Sequence, residues 1–258
     1  MERARFAGET DMTDEKDPYV VPGLKRGLAV LQTFTPSRPE LTLSEIAGAL
    51  AITRSAAFRS VHTLVSEGYL LPTQQGHHYR LGPSVLRLSY GYHASRELLE
   101  VAQPTLEQLR DEIDWSTHLG VLDGRHVLYL LRMPAAQGLS SLVHVGSRLP
   151  AATTAMGRIF LARKTERELR QLYGDLDRGS LARVLEAQRQ DIGADHVESI
   201  GRFESGISSV AAPVLDMSGE VVAAVSATNV TDAVPSGVVE AVRKAATAMS
   251  MGLGWRGE

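Results

Sequence analysis

The chain predicts an α+β protein in two units, a small helical head that carries a β-hairpin and a larger mixed body. Three observations predict it. Residues 41–71 read as two short capped helices around a tight turn, followed by a strand. At Ser116 the apolar period changes from that of helices to the alternation of strands, and strands and helices are interspersed from there on. Charge divides the same way: residues 18–87 hold seven Lys or Arg against three Glu, net +4, whereas residues 1–17 carry −3 and residues 88–258 carry −4. A chain of 258 residues is long enough for two units of ordinary size.

Residues 1–20 are polar, charged and aperiodic, which predicts a disordered tail. The head is expected over 21–83. Leu24, Leu28, Leu31 and Phe34 recur at helical spacing and predict a first helix that backs the other two. Thr42 and Glu45 form a T-x-x-E capping box, and Leu43, Ile46, Ala47 and Leu50 supply the inward face of the second helix. Ile52 plugs the turn and Thr53 is placed to cap the third helix, whose Ala57, Val61 and Leu64 form one apolar face. A second stripe of that helix, Ser55, Arg59 and His62 with Arg54 just before it, is polar and basic, and these residues with Thr53 are expected to contact DNA. A short helix with such a face is what the DNA major groove accepts. Leu70-Leu71, the turn residues 73–76 and the return run 77–81 then predict a hairpin wing, with Arg80 placed to reach a phosphate or the minor groove. Helix, helix and hairpin in this order make a winged helix-turn-helix.

After Gly82-Pro83, a linker helix is expected over 84–97, and the body over 98–258. Pro104 starts or continues another helix. THLGVLDG and HVLYLLRM are β-rich runs joined at Asp123-Gly124, a hairpin signal, and SLVHVG (141–146) reads as a third strand ended by Pro150. Thr153-Thr154 caps a helix holding Met156, Ile159, Phe160 and Leu161, and two charged amphipathic helices follow. ISSVAAPVLD and EVVAAVSATN are strands on either side of Met217-Ser218-Gly219, and a last helix runs from about 235 to 252. Alternation puts Ser226 and Thr228 on one face of their strand.

Several function classes are excluded or disfavoured. Without cysteine there is no disulfide framework and no thiolate metal site. The eight histidines are scattered and lack ligand spacing, so no metal or cofactor is expected. Gly252 to Gly257 spells G-x-G-x-x-G without a preceding strand or following helix, and residues 206–210 lack the second glycine of a nucleophile elbow. No nucleophile–base pair or carboxylate dyad stands out, so the chain is not expected to be an enzyme. No apolar run reaches membrane-spanning length and the N-terminus is charged, which predicts a cytoplasmic protein with no membrane partner.

GLAVLQTF, TLSEIA with TRSAAFRSVHTLVSEGYL, YRLGPSVLRL, HLGVLDGRHVLYLLR, GSRLPAATTAMGRIFLA and FESGISSVAAPVLDMSGEVVAAVSAT occur in this order, and together they resemble the IclR family of bacterial transcription factors. The resemblance implies a GAF-like effector-binding body, a homodimer or tetramer on a pseudo-palindromic double-stranded operator, and control by a small organic acid. It implies a ligand pocket at Leu149, Ala155, Met156, Ser199, Ser209, Ser226 and Thr228, beside the cap residue Thr154. Arg132 or Arg148 is placed to pair with a carboxylate. The sequence departs from the family at Ser209, often Cys, at Arg202, often Glu, and at Leu215, often aromatic. RLPAATTAMGRIFLA is most similar to the branch that senses aromatic acids and ring-cleavage products such as 4-hydroxybenzoate, protocatechuate or β-ketoadipate, which implies control of aromatic catabolism genes, as a repressor or an activator. The alternatives are a regulator of a non-aromatic acid such as glyoxylate or pyruvate, and an enzyme acting on a small acid.

Overall fold

The computed structural model describes residues 19–73, 77–88, 97–136 and 143–257. The chain forms two compact units that divide between Arg96 and Glu97.

The N-terminal unit runs α1 (Pro22–Gln32), β1 (Glu40–Thr42), α2 (Leu43–Ala49), α3 (Arg54–Ser66), β2 (Leu70–Pro72) and β3 (His78–Leu81). The capping box forms as its residue types dictate: Thr42 Oγ1 accepts from the Glu45 N–H at 3.2 Å, and the Thr42 N–H donates to Glu45 Oε2 at 2.8 Å. Val30, Phe34, Ile46, Ala57, Val61 and Leu64 meet in one core with Leu41 and Leu70. The three strands pair antiparallel in the order β1-β3-β2. The first helix departs from its expected face. Leu24 and Leu28 are 62% and 52% exposed, and Val30 takes the buried position. Phe34 is buried but lies past the helix end at Gln32, so the 24-28-31 stripe and Phe34 are not one continuous helical face. A helical segment covers 84–88, and the rest of the expected linker helix, 89–96, lies outside the described residues, as do the turn residues 74–76.

The second unit runs α4 (Glu97–Ile113), β4 (Ser116–Asp123), β5 (His126–Met133), β6 (Arg148–Pro150), α5 (Ala155–Leu161), α6 (Glu166–Leu172), α7 (Arg178–Asp191), β7 (Val197–Ile200), β8 (Ile207–Leu215), β9 (Val221–Val230) and α8 (Ser236–Gly252). Its antiparallel sheet has the order β6-β5-β4-β9-β8-β7. Successive side chains of a strand alternate between faces. Thr117 points to α4 and donates to the Leu106 carbonyl at 2.9 Å, which leaves Ser116, His118 and Gly120 for the opposite face, the one α5 covers. Pro104 continues α4 from inside it.

Two strands differ from expectation. Residues 143–146 are not a strand; Gly146, at φ 86°, turns there and its N–H donates to the Tyr129 carbonyl at 2.8 Å. The third strand is instead β6, which pairs His126–Leu128 with Arg148–Pro150. The edge strand β7 is too short and too polar, Val-Glu-Ser-Ile, to have carried a strand signal in the sequence.

Candidate functional site

Two surfaces gather the residues singled out above. On the head, Thr53 caps α3 by accepting from the Ala56 N–H at 3.2 Å, so its hydroxyl is committed to starting the helix. Arg54, Ser55, Arg59 and His62 are exposed on α3, and Arg80 is exposed on β3. Among the described residues none of these three arginines has a carboxylate partner. A groove between α3 and the hairpin is lined by Arg54, Ser55, Phe58, Arg59, His77 and Tyr79. Phe58 was not anticipated. Its ring is half exposed and lies 5.9 Å from that of His62, an apolar group on an otherwise polar face.

In the second unit, nine of the ten nominated residues line one cavity between the sheet and the start of α5: Arg132, Leu149, Thr154, Ala155, Met156, Ser199, Ser209, Ser226 and Thr228. Strand register explains the convergence. Ser116 pairs with Thr228, Thr228 with Ser209, and Ser209 with Ser199, so four hydroxyls from four strands form one row across the floor. The next row holds Arg132, His118 and Ser226. Ser116 accepts from the Ala135 N–H at 3.1 Å and Ser199 donates to the Thr153 carbonyl at 3.3 Å, but the hydroxyls of Ser209, Ser226 and Thr228 have no hydrogen-bond partner among the described residues. Thr154 accepts from the Gly157 N–H and donates to the Pro150 carbonyl, both at 3.2 Å, and so fixes where α5 begins. The remaining nominee, Arg148, is not in the cavity. It lies on β6, half exposed, with its Nε 2.7 Å from Asp123 Oδ2.

The residues missed in the sequence are Ser116, His118, Tyr129, Val143, Phe203 and Ile207. A β-bulge accounts for Tyr129. Tyr129 and Arg132 are an odd number of residues apart and would face opposite sides of a regular strand, but the register shift beside Leu119 and Gly120 brings both to the cavity. Gly120 is required at this point, since a Cβ there would stand 2.6 Å from Val127 Cγ1 and 3.3 Å from Met156 Cε. Gly157 is required for a similar reason: a Cβ would fall 2.2 Å from the Ala151 backbone, against which α5 packs. Behind the cavity Arg158 and Asp191, both almost wholly buried, form a two-armed ion pair at 2.7 and 2.6 Å, and Arg158 also donates to the Glu198 carbonyl at 2.8 Å. One guanidinium thus ties α5 to α7 and β7.

Burial dominates the electrostatics of the cavity floor. His118 is 3% exposed, and burial, helped by the neighbouring Arg132 charge, lowers its pKa to about 3, so the imidazole is neutral at pH 7. Burial likewise pushes the Tyr129 phenol well above its ordinary value. The two rings meet edge-on, 5.4 Å apart at 84°.

Comparison with known proteins identifies both units. Residues 23–72 match the IclR helix-turn-helix domain, and residues 90–251 match the C-terminal domain of IclR bacterial transcriptional regulators. The chain belongs to the IclR family. It is therefore a transcription regulator with a helix-turn-helix DNA-binding domain and an effector-binding domain. It is 35% identical to the Pca regulon regulatory protein of Pseudomonas putida, over 81% of this chain and 75% of that protein. It is 31% identical to the p-hydroxybenzoate hydroxylase transcriptional activator of Acinetobacter baylyi, over 83% of each. Its fold is similar to a crystal structure of an IclR homologue from Microbacterium hydrocarbonoxydans complexed with 4-hydroxybenzoate, with a TM-score of 0.78, 27% identity, and 90% and 99% of the two chains covered. Among the described residues no helix is long and apolar enough to cross a membrane.

Proposed function

We propose that this regulator is controlled by a small aromatic acid, 4-hydroxybenzoate or a close analogue, and acts on genes of aromatic catabolism. The observation that carries the reading is the composition of the cavity. Arg132 and the unpaired hydroxyls of Ser209, Ser226 and Thr228 suit a carboxylate and a second polar group, while Leu149, Met156, Phe203 and Ile207 suit a flat apolar ring. The first turn of α5 adds the positive end of its backbone dipoles near Ala155 and Met156. The relatives named above, which regulate the Pca regulon and p-hydroxybenzoate hydroxylase or bind 4-hydroxybenzoate, support the same choice.

In this reading residues 21–83 read the operator, 84–97 connect, and 98–258 take the effector. Arg54, Ser55, Arg59 and His62 face the major groove from α3, and Arg80 contacts the backbone from the hairpin. A homodimer, or a tetramer built from two, sets two α3 helices on a pseudo-palindromic site in the cytoplasm. A thermal-shift screen against 4-hydroxybenzoate, protocatechuate, β-ketoadipate, glyoxylate and pyruvate tests the effector class. A ligand at 100 times its dissociation constant adds about 2.7 kcal/mol to the folded state. A shift with an aromatic acid is the expected result; a shift confined to glyoxylate or pyruvate removes the aromatic reading.

A further inference from the structure

Native proteins leave very few fully buried polar atoms without a hydrogen bond, and each exception calls for an explanation. Among the described residues the fully buried side-chain atoms without a partner are His118 Nδ1, His126 Nδ1 and the Tyr173 hydroxyl. Only His118 lines the cavity. It sits in the middle of the floor, with Arg132 beside it on β5, Ser226 on β9, and the Tyr129 ring at right angles to its own.

We propose that His118 recognises the ring hydroxyl of a hydroxylated aromatic acid and so sets which benzoates the regulator answers to. This assignment rests on the effector reading above and adds a specificity-determining residue to it. The imidazole is neutral, so it has no charge to offer a carboxylate, which the hydroxyls of Thr228 and Ser209 in the next row can instead receive. A neutral imidazole presents one N–H and one lone pair. A phenol hydroxyl both donates and accepts, and therefore fits either tautomer. Position agrees with chemistry. The His118–Ser226 row lies two residues along β4 from the Ser116–Thr228–Ser209 row, about 7 Å. That is comparable with the length of a para-substituted benzoate, so a molecule whose hydroxyl meets His118 sets its carboxylate against the row of Thr228 and Ser209. A site built to bond a hydroxyl discriminates against the analogue that lacks it, because the buried partner is then left unmatched.

Calorimetric titration of the full chain with 4-hydroxybenzoate and with benzoate tests the assignment. The wild-type chain is expected to bind 4-hydroxybenzoate about tenfold more tightly. In His118→Phe, which keeps a ring against Tyr129, the preference is expected to fall below about threefold. A measurement on the wild-type chain guards against a variant that does not fold: in protein with ¹⁵N-labelled histidine, the His118 Nδ1 resonance is expected to move with 4-hydroxybenzoate and to stay in place with benzoate. Equal binding of the two acids by the wild type, a folded variant that keeps the preference, or an unmoved resonance overturns the role of His118 and leaves the effector reading intact. If neither acid binds the wild type, the effector reading falls and this assignment falls with it.

Discussion

A histidine held neutral inside the protein makes stability depend on pH. The unfolded imidazole titrates at its ordinary 6.5, whereas the folded His118 titrates at about 3. Between those values the unfolded chain binds the extra proton, so stability is complete above pH 6.5 and falls as the pH drops toward 3. From pH 7 to pH 5 the loss from this one group is about 2 kcal/mol. Denaturant unfolding at the two pH values should show a larger drop for the wild type than for His118→Phe; equal drops would mean the imidazole is charged in the folded state. On the head, Arg59→Ala is expected to weaken operator binding by about 1–3 kcal/mol if the guanidinium meets a base edge, read by gel shift or anisotropy. Much of this was legible residue by residue. Ser209, Ser226 and Thr228 were named together through the family resemblance, and strand alternation added that Ser226 and Thr228 share a face. Tyr129 could not be placed with them, because its facing depends on a bulge in β5 that no periodicity announces, and His118 follows the alternation of β4 without a sequence signal for which face the cavity takes. Arg148 illustrates the converse, since its sequence position beside the pocket motif says nothing of Asp123 across the hairpin.

At the scale of elements, the helix starts were the most readable features. Thr42, Thr53 and Thr154 each accept from a backbone N–H three residues on, and a hydroxyl or carboxyl at that spacing reads directly from the sequence. Thr42→Ala should accordingly cost the head about 1 kcal/mol, seen as a lower midpoint of its thermal transition. Edges were the least readable. β6 and β7 are short, lie at the two margins of the sheet and owe their existence to neighbours distant in sequence. The ion pair that holds α5 in place was equally invisible, because Arg158 and Asp191 are 33 residues apart. Asp191→Ala leaves a buried guanidinium without its counter-charge and is expected to destabilise the body by about 3–5 kcal/mol. The paired replacement Arg158→Met with Asp191→Leu should recover most of that loss in chemical denaturation. A single variant as stable as the wild type would mean that water already reaches the pair.

For the whole molecule the question is how a ligand in one unit is felt by the other. The charge division offers no route by itself, since a basic head and an acidic body explain affinity for DNA and not its control. Control requires that the effector bind two states of the protein with different affinity, and linkage then imposes a reciprocal relation. If 4-hydroxybenzoate changes operator affinity by some factor, saturating operator DNA must change 4-hydroxybenzoate affinity by the same factor. Factors of about 5–150 are ordinary for such coupling. Titrating the acid into the full chain with and without an operator duplex, and titrating the duplex with and without the acid, gives four constants that must close. Two equal factors in that range are the expected outcome, whatever the direction of regulation. A factor near one in both titrations, with the acid still bound in the cavity, would show that occupancy is not transmitted to DNA affinity, and regulation would then have to act at a step after operator binding.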